Sequence, residues 1–185
     1  MNVLVVCTAN VCRSPVAAIM LRRQLERLGV PASVRSAGFL EAGHRCPPEL
    51  VDEVARHGLA VGDHASAVLD LDLIEGADLV VGMERRHIRD IILRSPDAAA
   101  RAFTLKELVR RGEQVAGTGT GVRLETWLAE LAAGRGLADL VGQSRADDTA
   151  DPFGGSRRAY RQMVTEIDDL TARLSVLLAA HGAGP

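Results

Sequence analysis

The sequence predicts an α/β domain with three layers, built on a parallel sheet. Three observations carry this prediction. Short apolar runs without polar alternation recur, as in Val3-Leu4-Val5-Val6 and Leu79-Val80-Val81, the mark of strands buried on both faces. Each run is followed by a stretch with apolar residues at helical spacing. The two patterns alternate along the chain, and that alternation yields a sheet covered by helices.

Residues 2–6 form the first strand. A helix is expected from about Pro15, with Ala17, Met20, Leu21, Leu25 and Leu28 on one face, Arg22, Arg23 and Glu26 outside, and Gly29 ending it. Residues 32–36 read as a second strand, from which Ser36-Ala37-Gly38 turns into a loop over 39–46. Pro47-Pro48 opens the next helix, with Leu50, Val51, Val54 and Leu59 apolar. A third strand spans 77–83, and Ile88, Ile91, Ile92 and Leu93 mark the helix after it. A fourth strand at 102–105 leads into a helix over 106–111. The run Gly117-Thr118-Gly119-Thr120-Gly121 fits neither a Walker loop nor a dinucleotide fingerprint and reads as a flexible connection. Residues 122–133 are helical, with Leu124, Trp127, Leu128 and Leu131 on one face. The last helix, about 156–180, carries a core stripe from Tyr160 through Met163, Val164, Ile167, Leu170 and Leu174 to Leu177. Residues 181–185 are expected to fray.

With 185 residues, 47% of them hydrophobic, and a net charge of −2, the chain reads as one domain over 1–185 with an extended segment at about 112–146. There is no basic excess to attract nucleic acid and no apolar run long enough to span a membrane. The apolar start is too short, and lacks the basic leader, for a signal peptide. Three cysteines, two of them inside one loop, do not make a secretory disulfide framework and predict a reduced, cytoplasmic protein.

The stretch Cys7-Thr8-Ala9-Asn10-Val11-Cys12-Arg13-Ser14-Pro15 joins the first strand to the first helix. Amides at a helix start have no intrahelical partner and face the positive end of the helix dipole, so the loop is a ready oxyanion site. Thr8, Ala9, Asn10, Val11, Cys12 and Ser14 are the residues expected to line or shape it. Cys7 is the candidate nucleophile, because converging N–H groups and a nearby cation favour a thiolate. Arg13 carries the planar fork that holds two phosphate oxygens at once. Ser14 is expected to hydrogen-bond the sulfur and cap the helix, Pro15 to sit at the first helical position, and Asn10 to adopt positive φ.

This string resembles the signature of the low-molecular-weight protein tyrosine phosphatase family, C-x-G-N-x-C-R-S-P, with Ala9 in place of the usual glycine. The resemblance covers nearly the whole chain except about 112–146. It implies a four-stranded sheet in the order 2-1-3-4, with the loop after strand 1 at the topological switch point. It implies that Cys7 forms a phosphocysteine while Arg13 stabilises the spreading charge. Asp151, in Asp151-Pro152-Phe153-Gly154, then resembles the family's general acid, with Asp148 the runner-up. Ser36 resembles a residue that braces the loop through Asn10 or its neighbours, with a plain turn serine the alternative; His64 resembles one that orients Asn10, and Ser66 is a candidate cap for the next short helix. Phe39, His44 and Phe153 are candidates for the substrate cleft, with no choice made between Phe39 and His44. The family's Met-Asp pair stands here as Met83-Glu84, and its second cleft aromatic is Gly154. Cys46 reads as a structural thiol.

The implied reaction is phosphate monoester hydrolysis, most simply on a phosphotyrosine protein or a small aryl phosphate, with inorganic phosphate or another oxyanion also held in the loop. No metal or organic cofactor is called for. The resemblance further implies a Cys7–Cys12 disulfide under peroxide, hence a redox-sensitive enzyme. The alternatives are an arsenate reductase of the same fold, a phosphoarginine phosphatase and a non-catalytic phospho-binding module. Members with the arginine preference tend to have Thr where this chain has Val11.

Overall fold

Four parallel strands form the sheet of the computed structural model, which describes residues 1–115, 121–140 and 142–181. They are β1 (Asn2–Cys7), β2 (Ser33–Gly38), β3 (Leu79–Gly82) and β4 (Ala102–Thr104), in the order β2-β1-β3-β4. Side chains alternate along β1. Val3, Val5 and Cys7 join the larger apolar core on one face, and Leu4 and Val6 join a second core on the other. Burial on both faces explains why the strand is apolar without interruption.

On the larger core lie α1 (Arg13–Arg27), α2 (Pro48–Ala55), α5 (Leu105–Gln114), α6 (Leu124–Ala133) and α7 (Arg157–His181). The short α3 (Leu71–Glu75) and α4 (Arg85–Arg94) cover the other face through Ile74, Ile88 and Ile91. The glycine run at 117–120 and the tail beyond His181 lie outside the described residues. His181 itself is not frayed: its ring stacks on Trp127 at 4.6 Å and its Nδ1 donates to Val122 O. Leu28 does not belong to the buried stripe of α1, because the helix has already ended there and the side chain is 48% exposed. Among the described residues no helix is long and apolar enough to cross a membrane.

Two consequences of this order position the site. The chain leaves β1 for α1 where β2 and β3 depart to opposite sides, so the connecting loop opens into a crevice at the carboxyl ends of the strands. Cys7 also pairs in register with Gly38 at the end of β2, which brings the 38–46 loop against the first one.

Candidate active site

The β1–α1 loop folds around its own sulfur. Asn10 N donates to Cys7 Sγ at 3.3 Å and Ser14 Oγ donates to it at 3.0 Å. Asn10 is, among the described residues, the non-glycine residue with positive φ (54°), a conformation asparagine tolerates better than most. Its side-chain Nδ2 donates to Ser14 Oγ at 2.9 Å. Ser14 is therefore spent inside the loop and does not cap the helix. The helix begins at Arg13, with no side-chain cap at Cys12, and Pro15 is its third residue. Proline is tolerated there because the first four helical amides have no intrahelical acceptor anyway. Ala9 does not have positive φ, so the loop places no demand for glycine at that position.

Neighbouring segments fix the loop from outside. Asn10 Oδ1 accepts Ala67 N at 2.9 Å, and His64 Nε2 donates to Asn10 O at 2.7 Å. Ser36 is not among the partners of Asn10. From the Ser36-Ala37-Gly38 string it is Gly38 that matters, because a Cβ there would come within 2.9 Å of the Thr8, Ala9 and Asn10 backbone. Phe39 N and Leu40 N both donate to Thr8 O. Ser66 does not cap α3; Asp70 does, accepting from Leu73 N. Ser66 Oγ instead accepts His44 N and donates to Glu41 O, which tethers the 39–46 loop.

Arg13 is buried to 1% exposure. Its Nη1 donates to the Glu84 carboxylate and, at 3.1 Å, to Thr149 O. Its Nη2 donates to Asp151 Oδ2 at 2.5 Å, and Nε has no partner among the described residues. The Nη1 corner is thus an anchor, and the Nε–Nη2 edge is the one on which an oxyanion could be held bidentately. Burial would raise the Glu84 carboxyl, but the hydrogen bond and charge of Arg13, aided by Arg86, hold it below the usual carboxylate range. Glu84 was not among the residues singled out by sequence, although its place beside Met83 was noted. The signal for it was a carboxylate at the N-cap of the helix that follows strand three.

Thr8 Oγ1 accepts from Arg86 Nη2 and from His87 Nε2, each at 3.0 Å. The tautomer follows from the other ring nitrogen: His87 Nδ1 accepts Glu84 N, so Nε2 carries the proton. Burial pushes His87 down to about 3, so this ring stays neutral. Burial also pushes the Cys12 thiol up to about 12 and the Cys46 thiol up to about 11. These two remain protonated while Cys7 receives the hydrogen bonds.

The resulting cleft has a volume of about 450 Å³. It is lined by the buried Cys7, Val11, Cys12 and Arg13, the half-buried Thr8 and Ala9, and the exposed Leu40, His44, Arg45, Asp151 and Phe153. Asn10 and Ser14 are fully buried and do not line it. Phe39 is not a wall. Its ring stacks on His87 at 5.7 Å and carries the Arg94 guanidinium at 5.0 Å, so the next residue, Leu40, faces the opening instead. His44 reaches the rim, and Phe153 is 68% exposed beside it. Gly154 takes φ of 71°, a turn unfavourable for a second aromatic. Asp151 Oδ1 accepts Phe153 N at 3.1 Å. Asp148 does not line the cleft, because its oxygens accept Arg85 N and Ser144 N. Among the described residues no group of three or more His, Cys, Asp and Glu side chains converges as a metal site.

Residues 2–117 match the family model described as Low molecular weight phosphotyrosine protein phosphatase. A protein-arginine-phosphatase of Bacillus subtilis (strain 168) is 31% identical over 176 residues, 95% of each chain. A probable low molecular weight protein-tyrosine-phosphatase of Ralstonia solanacearum is 37% identical over 108 residues, 58% of this chain and 72% of its own. Among solved structures, an arginine phosphatase variant with a phosphorylated active-site serine superposes with a TM-score of 0.73 at 29% identity, covering 96% of this chain and 95% of its own.

Proposed function

The chain belongs to the low molecular weight phosphotyrosine protein phosphatase family, and from that premise we propose that it dephosphorylates phosphotyrosine proteins through a phosphocysteine at Cys7. The observation that carries this reading is the convergence of Cys7, Arg13 and Asp151 on one cleft with apolar sides. Val11, Leu40 and Phe153 suit the flat apolar ring of an aryl ester.

The chemistry follows from the placement. The Cys7 thiolate attacks phosphorus, the S–P bond forms and the P–O bond to the leaving group breaks. Arg13 and the loop amides hold the equatorial oxygens as charge spreads over them. Phosphate takes the Nε–Nη2 edge of Arg13 and frees the Asp151 carboxylate, which takes up a proton from solvent and passes it to the departing phenolate oxygen. Asp151, now a carboxylate, takes a proton from water. The water oxygen bonds to phosphorus, and the S–P bond breaks to return the thiolate. A solved relative with a phosphorylated serine in its active site supports a covalent phosphoryl step in this fold.

A second reading, hydrolysis of phosphoarginine, is favoured by the Bacillus subtilis relative that spans 95% of both chains. Paired peptides differing only in phosphotyrosine or phosphoarginine separate the two. The tyrosine reading predicts at least about tenfold higher kcat/KM on the tyrosine peptide, a difference of about 1.4 kcal/mol in transition-state binding. The reverse ratio establishes the arginine reading.

The same proposal places the enzyme in a reducing, cytoplasmic setting. Peroxide converts the Cys7 thiolate to a sulfenic acid, and the Cys12 thiol condenses with it, expelling water to give a disulfide. Peroxide-treated wild type is expected to regain activity fully on thiol treatment, whereas Cys12→Ser is not. Equal recovery by both refutes the disulfide.

A further inference from the structure

Three residues around the Asp151 loop are tied down, two of them, Asp147 and Asp148, by groups that take no part in the chemistry above. Asp147 is 2% exposed. Its Oδ2 accepts Arg85 Nε at 2.9 Å and Nη2 at 2.6 Å, and its Oδ1 accepts Arg110 Nη2 at 2.7 Å. Burial would raise this carboxyl, but the two guanidiniums hold it below the usual carboxylate range. Asp148 Oδ1 accepts the Arg85 amide at 2.8 Å. Thr149 N donates to Met83 O, and Thr149 O accepts Arg13 Nη1.

Arg85 supplies three of these contacts. Glu84 and Arg85 are consecutive at the start of α4. The first holds the phosphate-binding arginine and the second holds the loop that carries the acid. Arg85 Nη1 also donates to Ala138 O at 3.2 Å, which brings the 112–146 segment against the same loop. A buried carboxylate gripped by two arginines is expensive to place unless its geometry is fixed. Here the fixed point lies four residues before Asp151.

We propose that the Arg85–Asp147–Arg110 clamp is a positioning device for the general acid, setting the distance from Asp151 to the leaving-group oxygen while leaving the phosphate loop untouched. The proposal rests on the reading of Asp151 as the acid. A small displacement of a catalytic group is enough to slow a reaction about 100-fold, and an acid matters only where the leaving group needs its proton.

The test compares phenyl phosphate, a poor leaving group, with dinitrophenyl phosphate, a good one. Asp147→Asn and Arg110→Met are both made, because Arg110 is partly exposed and Arg85 still pairs with Asp147 in its absence. Each is expected to lower kcat/KM on phenyl phosphate by about 10- to 100-fold. On dinitrophenyl phosphate the loss is expected to stay below about threefold, since that ester departs without a proton. The inhibition constant for inorganic phosphate is expected not to move. In an Asp151→Asn background Asp147→Asn is expected to cost nothing further, because a clamp that acts through Asp151 has nothing left to position. Equal losses on both esters, or additive losses in the double variant, show a general packing role and overturn the proposal. If Asp151→Asn discriminates between the esters and the clamp variants do not, the clamp alone falls. If Asp151→Asn itself fails to discriminate, the acid assignment falls and takes the clamp with it.

Discussion

Arg13→Lys is expected to lower kcat/KM on an aryl phosphate by about 10³-fold or more, the lower end of what a charge-stabilising arginine supplies in phosphoryl transfer. Charge alone does not explain the size, since lysine keeps the charge. The loss comes from geometry. Arg13 uses one corner for Glu84 and Thr149 O and keeps the Nε–Nη2 edge toward Asp151. A lysine ammonium is a single point with no second edge. It would have to choose between the anchor and the phosphate, and it would leave a half-buried carboxylate with one partner fewer. Both kcat and the affinity for inorganic phosphate are therefore expected to fall. A variant that loses kcat with unchanged phosphate affinity would show that Arg13 does not hold the oxyanion.

Cys7→Ser is expected to lower turnover by on the order of 10⁴-fold, because a serine hydroxyl is a weak nucleophile without an adjacent base. The structure supplies none: Ser14 Oγ and Asn10 N both donate toward position 7, which suits an anion and gives no help in removing a proton. Phosphate binding is expected to survive, since the loop amides and Arg13 remain. Steady-state hydrolysis together with phosphate inhibition separates the two effects. Retained turnover would remove Cys7 from the mechanism.

The loop from Cys7 to Pro15 was readable because its parts are contiguous, so strand end, turn and helix start impose their geometry locally. Asp151 was readable because the following proline restricts it and glycines bound the loop. Glu84 was not, because its meaning depends on a contact with a residue 71 positions away. Phe39 and Leu40 show how a one-residue difference decides function. The two lie in the bend just past β2, where strand alternation no longer applies, and only the neighbours His87 and Arg94 reveal that the Phe39 ring is turned away from the cleft. Ser66 was the expected cap by residue type, and the start of α3 at Leu71 gives that place to Asp70 instead. Asp147 was given no role in the sequence reading. Its burial between Arg85 and Arg110 comes from packing that no local pattern records.

The central claim is that phosphoryl transfer passes through Cys7. Mixing excess aryl phosphate with the enzyme, quenching in acid within the first turnovers and measuring intact and peptide masses tests it directly. The account predicts one added phosphoryl group, located on the peptide that contains Cys7 and formed together with a stoichiometric burst of the phenol. Turnover with no phosphoryl group on that peptide, or with the group on another residue, would contradict it.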